Sequence, residues 1–171
     1  MSLQATPAQR ERLLFLCQVV KREWELLEQV KTRLFDSAMP MLDPKALAAL
    51  SIEQTEQLDA FVARFGRLQD TLGEKLLPAL LLTGGDQPGQ MLDNLDRAER
   101  YGWIESANQW ADSRQLRNRM VHEYIQDPVI LCDAVNLAAG RLSSLLFAQR
   151  AMTARADTFT SADKTNPPPC A

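Results

Sequence analysis

The sequence is poor in the residues on which metal and redox chemistry depend. Its 171 residues include one histidine, His122, and three cysteines, none of which form a Cys-x-x-Cys pair. Such a set supplies no zinc-ligand pattern. An odd number of cysteines without regular spacing also favours a reducing cytoplasm over an oxidising compartment. We therefore expect a cytoplasmic protein that uses neither a metal nor a cofactor.

Excess positive charge and long apolar runs are also lacking. The formal net charge is -3, which excludes a general nucleic-acid coat, because tight non-specific binding needs many unopposed cations. Any contact with nucleic acid must then be local. The apolar run from Leu76 to Leu82 contains Pro78 and is too short to span a bilayer. The sequence begins without a basic-then-apolar leader, and we expect no membrane contact.

No segment alternates polar and apolar residues with period two, and the apolar spacing is helical throughout. Helix starts are predicted at Thr6-Pro7, Asp43-Pro44, Ser51 and Asp127-Pro128, where side chains can accept from free amides. The predicted fold class is all-α, an antiparallel helical bundle of about five helices. Further helices are expected to end near Gly102 and to begin after Ser106, and Pro78 is expected to bend the long one.

The last residues differ in composition from the rest. From about residue 154, Thr, Ser, Asp and Pro dominate, and the sequence ends in Asn166-Pro167-Pro168-Pro169 and two further residues. Such a segment buries too little apolar area to order itself. We predict a helical domain over residues 1–153 and a disordered tail over residues 154–171.

One segment carries a pattern suited to chemistry, Arg117-Asn118-Arg119-Met120-Val121-His122-Glu123-Tyr124. On a helix with about 100° per residue, Asn118 and His122 stack on one face. Arg117 and Tyr124, seven residues apart, align with each other, and Arg114 lies one turn before Asn118. The spacing predicts one broad polar surface that holds these five side chains. Met120 and Val121 are expected to face the core.

His122 lies in the predicted last turn of its helix, where the carbonyl dipole and Glu123 both favour a protonated imidazole. We expect it to change protonation near neutral pH. A titrating histidine beside arginines matches metal-free RNA cleavage, in which a base activates the ribose 2′-OH, an acid protonates the leaving oxygen and a cation stabilises the charged phosphorane. The alternative is a surface or structural histidine, and spacing alone leaves both open.

Other candidates are more simply explained by structure. A row of acidic residues is interpreted as a solvated helix face: Asp93, Asp96 and Glu99. The tryptophans are interpreted as core or interface residues rather than as platforms for stacking bases: Trp24, Trp103 and Trp110.

The octapeptide from Arg117 to Tyr124 resembles the signature of HEPN-domain proteins. It is most similar to the HepT-like branch, whose pattern is Arg, four residues, His, one residue, Tyr. Arg117, His122 and Tyr124 fill the three positions, and Asn118 is the polar residue that follows the arginine. Residues 65–73 resemble the long second helix of that family, and residues 91–104 resemble the stretch before its catalytic helix. The resemblance covers roughly residues 10–150.

The resemblance implies an antiparallel helical bundle that pairs as a homodimer, with the motifs of both copies facing one cleft. It implies a metal-independent endoribonuclease, the toxin of a toxin–antitoxin pair, with Arg117 and His122 catalytic. Asn118, Arg114 and Tyr124 would then bind the RNA substrate. The implied partner is a minimal nucleotidyltransferase antitoxin, which would neutralise the toxin by adding adenylate to Tyr124.

Two alternatives stay open. In the first, the chain is a non-catalytic, substrate-binding partner of a minimal nucleotidyltransferase, because the octapeptide 117–124 suits docking as well as RNA cutting. In the second, the chain is a structural or nucleotide-binding module in which Arg117 and His122 are ordinary surface groups.

Overall fold

The computed structural model describes residues 5–36, 39–122 and 127–161, with only the backbone described for His122. All regular structure in these residues is helical, which confirms the all-α prediction. The elements in chain order are α1 (Pro7–Leu34), α2 (Pro44–Ala48), α3 (Ile52–Asp70), a π-helical turn (Thr71–Leu76), α4 (Leu77–Thr83), α5 (Met91–Arg100), α6 (Ala107–His122), α7 (Pro128–Gly140) and α8 (Leu142–Ser161).

The helix starts follow the predicted caps. The Thr6 hydroxyl accepts from the Gln9 amide at 3.2 Å, while the Gln9 side chain accepts from the Thr6 amide at 2.7 Å. The same reciprocal pair joins Ser51 and Gln54 at the start of α3. Asp127 accepts from the first amides of α7. These side chains satisfy backbone donors that have no partner within the helix.

The long helix predicted between Ser51 and Gly84 is interrupted by the π-helical turn. There the Leu77 amide donates to the Leu72 carbonyl, five residues back, instead of four. Pro78 has no amide proton, and its ring would clash with the carbonyl of Glu74 in a regular helix. The irregularity therefore lies in the turn just before Pro78.

The core lies between α1, the long helical segment 52–83, and the last two helices. α1 packs against α3 and α8, while α6 packs against α7 and α3. The Phe35 ring meets the Phe61 ring edge-on at 5.9 Å, and Phe61 stacks with Phe65 at 6.3 Å between centroids. This arrangement fixes the face of α3 on which α6 lies.

The predicted boundary between domain and tail is wrong. Helix α8 continues to Ser161, and Ala156 in its last turns is 1% exposed. Met152, Ala156 and Phe159 recur at spacings of four and three, so this polar segment still presents an apolar face to the core. The remainder of the predicted tail, residues 162–171, lies outside the described residues. The described ranges contain eight α-helices, of which α2 and α4 are short, and they form the predicted all-α bundle.

Among the residues described, one stretch, Pro128–Ser161, is long and apolar enough to cross a membrane by length and composition, with a mean hydropathy of 1.5. Of the most apolar 18-residue window in this stretch, 39% is buried within the fold. Core helices of soluble proteins also meet this criterion, so membrane contact and location stay predictions.

Candidate functional site

Helix α6 carries the segment that the sequence singles out. Its backbone runs from Ala107 to His122, but the His122 side chain and the whole of Tyr124 lie outside the described residues. Asn118 is exposed, as predicted for a surface residue. Met120 is fully buried, whereas Val121 is 58% exposed, so its expected place in the core was wrong. The chemical roles given to Arg114, Arg117, Asn118, His122 and Tyr124 therefore stay predictions.

Arg117 is held against α3 by an acidic partner. Its Nη1 lies 2.9 Å from Oδ1 and 2.7 Å from Oδ2 of Asp70. The arginine side chain is 38% exposed and that of the aspartate 26%. Gly66, one turn earlier on α3, provides the space, because a Cβ at this position would lie 2.8 Å from Arg117 Nε. The guanidinium is thus fixed at the surface rather than free in solvent.

Arg114 is held in a similar way, one turn earlier on α6. Its Nη2 lies 2.6 Å from Oε1 of Glu74 in the π-helical turn, and its Nη1 lies 2.8 Å from the Met91 sulfur. The two arginines therefore lie on the same side of α6, as predicted. Each of them faces a carboxylate from the long segment 52–83.

The first turn of α6 is anchored by buried contacts. Gln69 is 1% exposed, and its side-chain amide donates to the Trp110 carbonyl at 3.2 Å. The indole of Trp110 packs on Gly73, where a Cβ would lie 3.1 Å from its Nε1. The small residue allows the two helices to approach closely. These contacts set the register in which Arg114 and Arg117 meet their partners.

A third carboxylate, Glu23 of α1, lies beside this cluster. The Thr71 hydroxyl donates to Glu23 Oε1 at 3.2 Å, while Glu23 Oε2 is buried without a hydrogen-bond partner. Burial raises the pKa of the Glu23 carboxyl, against the opposing effects of the Thr71 hydrogen bond and of the Arg67 and Lys75 charges. The ionised form of Glu23 is therefore disfavoured in the folded chain.

Sequence reasoning missed the residues that position the arginines. Asp70 and Glu74 lie more than 35 positions before their partners in the chain, so no spacing rule links them. Gly66 did leave a signal, since glycine inside a helix is unfavourable and indicates a packing reason. Asp70 and Glu74, both from the segment 52–83, offset the positive charges of Arg117 and Arg114.

Within the three described ranges, no group of three or more His, Cys, Asp or Glu side chains is arranged to hold a metal ion. No protein-family model matches the chain, and neither a curated protein nor a solved structure matches it. The resemblance to HEPN proteins thus depends on the residues quoted for it.

Proposed function

We propose that the chain is a metal-independent endoribonuclease of the HepT-like HEPN type, the toxin of a pair with a minimal nucleotidyltransferase. The observation that carries the proposal is Arg117, which occupies the arginine position of the Arg-x4-His-x-Tyr string. Its guanidinium is half-exposed and held by Asp70 over Gly66. A cation fixed in this way can stabilise a charged transition state without first being ordered.

In this proposal, the RNA strand is cut by attack of its own 2′-oxygen. The O2′–P bond forms while the P–O5′ bond breaks, which leaves a 2′,3′-cyclic phosphate and a 5′-hydroxyl. His122 removes the proton from the 2′-OH or gives one to the leaving 5′-oxygen. Arg117 stabilises the phosphorane, and Arg114 and Asn118 bind the flanking strand. Both contacts with Asp70 use Nη1 of Arg117, and a guanidinium has further donors for a phosphate.

A homodimer completes the proposed site. The chain has a single histidine, whereas the reaction needs both a base and an acid. Two copies whose strings face one cleft supply one imidazole for each role. They also double the local number of arginines, which partly offsets the acidic net charge.

The proposed antitoxin is a minimal nucleotidyltransferase that modifies Tyr124. The Tyr124 phenol oxygen would attack the α-phosphorus of ATP, lose its proton, and release pyrophosphate. The added adenylate would bring an anion and a bulky base to the octapeptide that also contains Arg117. It would thereby occupy the guanidinium that otherwise binds the scissile phosphate.

The decisive experiment incubates the purified protein with RNA in the presence of EDTA. We expect cutting, with 2′,3′-cyclic phosphate ends, and a loss of at least about 100-fold in Arg117→Ala and His122→Ala. Arg22→Ala is the matched control, because it removes the same charge from an exposed arginine on α1 that pairs locally with Glu25. A wild type that cuts no RNA, or variants that cut as fast as wild type, would refute the proposal.

A second function is favoured by the same ion pairs. Arg117 and Arg114 already face Asp70 and Glu74, as expected of structural groups on a docking surface. In this case the chain is a non-catalytic, substrate-binding partner of the nucleotidyltransferase. Calorimetric titration with a nucleotidyltransferase encoded next to this chain separates the two, since binding without any RNA cutting supports docking alone.

A further inference from the structure

A concave site lies on a part of the fold that contains none of the residues of the candidate site on α6. It is a cavity of about 440 Å³ between the end of α4, the end of α5 and the last turns of α8. The ends of α4 and α5, which have similar turns, form one side of the cavity. Gly85 and Gly102 have φ of 90° and 72°, values that favour glycine. Each turn places the next residue, Asp86 or Trp103, at the cavity.

The backbone hydrogen bonds hold both of these turns rigidly. The Asp86 amide donates to the Leu81 carbonyl at 2.9 Å, and the Trp103 amide donates to the Ala98 carbonyl at 2.8 Å. Both bonds span five residues and close the end of their helix. The side chains at the cavity are therefore presented by ordered backbone.

The walls of the cavity are aromatic. The Tyr101 and Trp103 rings lie 4.8 Å apart between centroids, tilted by 48°. Arg155 and Phe159 also line the cavity, and the Arg155 guanidinium lies 4.4 Å above the centre of the Phe159 ring. Aromatic rings and a planar guanidinium at one cavity suit a flat aromatic ligand. Trp103 packs against the core, as expected from the sequence, and also lines this cavity.

The cavity wall carries one carboxylate, that of Asp86, and one guanidinium, that of Arg155. The Tyr101 hydroxyl donates to Asp86 Oδ2 at 2.7 Å, so this carboxylate already has a partner. That hydrogen bond raises the pKa of Tyr101, which keeps the phenol protonated. Arg97 and Arg100 lie near the phenol, and Arg155 lines the cavity itself. The Arg155 guanidinium is thus the cavity-lining charge that suits an anionic group.

We propose that this cavity binds a nucleoside monophosphate unit, with its base against Trp103 and its phosphate at Arg155. The volume lies in the range of small-molecule sites. An aromatic ring that carries an anionic phosphate matches the aromatic side chains and the Arg155 guanidinium that line the cavity. The unit belongs either to free nucleotide or to a single strand of RNA. The site contains neither Arg117 nor His122 and does not depend on their proposed role.

The test is a calorimetric titration of the full chain with AMP, with adenosine, and with a ten-nucleotide oligoadenylate, alongside tryptophan fluorescence. We expect AMP or the oligonucleotide to bind with Kd below about 1 mM, and adenosine to bind more weakly than AMP. Binding should quench fluorescence, and the quenching should be lost in Trp103→Phe. Binding by AMP identifies a free-nucleotide site, whereas binding by the oligonucleotide alone identifies a site for the strand.

Arg155→Met keeps an unbranched side chain beside Phe159 but removes the guanidinium and its charge, and it should weaken binding by about tenfold. Arg150→Met is the matched control, since Arg150 is exposed on α8 and lines a different groove. Arg117→Ala should bind normally, so a failure of the nuclease proposal leaves this result unaffected. No binding by AMP or oligonucleotide, equal binding of adenosine and AMP, or equal effects of the two methionine variants would overturn the proposal.

Discussion

The position of the Arg117 side chain over Gly66 can be tested without knowledge of the substrate. Gly66→Ala adds a methyl group 2.8 Å from Arg117 Nε and 3.0 Å from its Cδ. Real Cβ atoms do not approach other atoms so closely, and the arginine has to move. In Arg117→Ala the same methyl group meets no obstacle from this side chain. The effect of Gly66→Ala on stability should therefore depend on residue 117.

The magnitudes follow from the local contacts. Alanine in place of glycine inside a helix stabilises by ~1 kcal/mol. A displaced arginine loses its ion pair with Asp70, ~0.5–1 kcal/mol for a pair of this exposure, and adopts a strained rotamer at ~0.5–1.5 kcal/mol. Gly66→Ala should thus lower the free energy of unfolding by about 0–1.5 kcal/mol in wild type. In Arg117→Ala it should raise it by about 1 kcal/mol.

The assay is urea unfolding of the four members of this double-mutant cycle, followed by circular dichroism and tryptophan fluorescence. We expect a coupling free energy of about 1–2.5 kcal/mol between the two sites. Gly140→Ala is the control, because a Cβ there meets no atom within 4 Å, and its effect should be the same in both backgrounds. A coupling below about 0.3 kcal/mol would refute the placement of Arg117 over Gly66.

Three further predictions concern other parts of the fold. Asp70→Asn should slow RNA cutting by about tenfold or more, because Arg117 loses the charge that positions it; cleavage rates measure this. Glu23→Gln should raise Tm at pH 7 by up to about 3 °C, because the neutral amide removes the charge that burial disfavours, a gain of at most about 1 kcal/mol at this half-buried position. Because folding raises the pKa of Glu23, the destabilisation by its ionised carboxyl grows as the pH rises above the pKa of Glu23 in the unfolded chain. The Tm increase from Glu23→Gln should therefore vanish near pH ~4. Ala156→Glu should destabilise by ~3 kcal/mol in urea unfolding, because Ala156 is buried on α8.

Each of these has a matched control on the same helix. Asp59→Asn and Glu28→Gln change exposed acidic residues on α3 and α1, and Ala154→Glu changes an exposed position of α8. We expect effects within about 0.5 kcal/mol for these three. An Asp70→Asn variant that cuts at the wild-type rate, a Glu23→Gln gain that persists in acid, or an Ala156→Glu variant as stable as Ala154→Glu would contradict the corresponding prediction.

The helix starts were predictable because their signals are local. The caps at Thr6, Ser51 and Asp127 each depend on residues within three positions along the chain. The end of α8 was missed for the opposite reason. Its Thr and Asp residues are typical of coil, and only packing of Met152, Ala156 and Phe159 against other helices stabilises this helix beyond its propensity.

Half of the candidate site, its two arginines, could be predicted from the sequence. Arg114 and Arg117 follow from a motif on one helix, so their shared face could be predicted from α-helical geometry. Their partners Asp70 and Glu74 come from a different helical segment. The sequence does not specify the register of that segment against α6, which depends on the close approach at Gly66 and Gly73.

The π-helical turn gives the chain one residue more than a regular helix would use between α3 and α4. Deletion of a single residue between Thr71 and Leu76 would allow regular α-helical winding up to Pro78, and α3 and α4 would keep nearly their present faces, because the turn absorbs its extra residue locally. The side chains of the turn itself would change direction, and Glu74, the acidic partner of Arg114, is one of them. A natural variant one residue shorter here should therefore keep the buried face of α4 but have lost the carboxylate that holds Arg114.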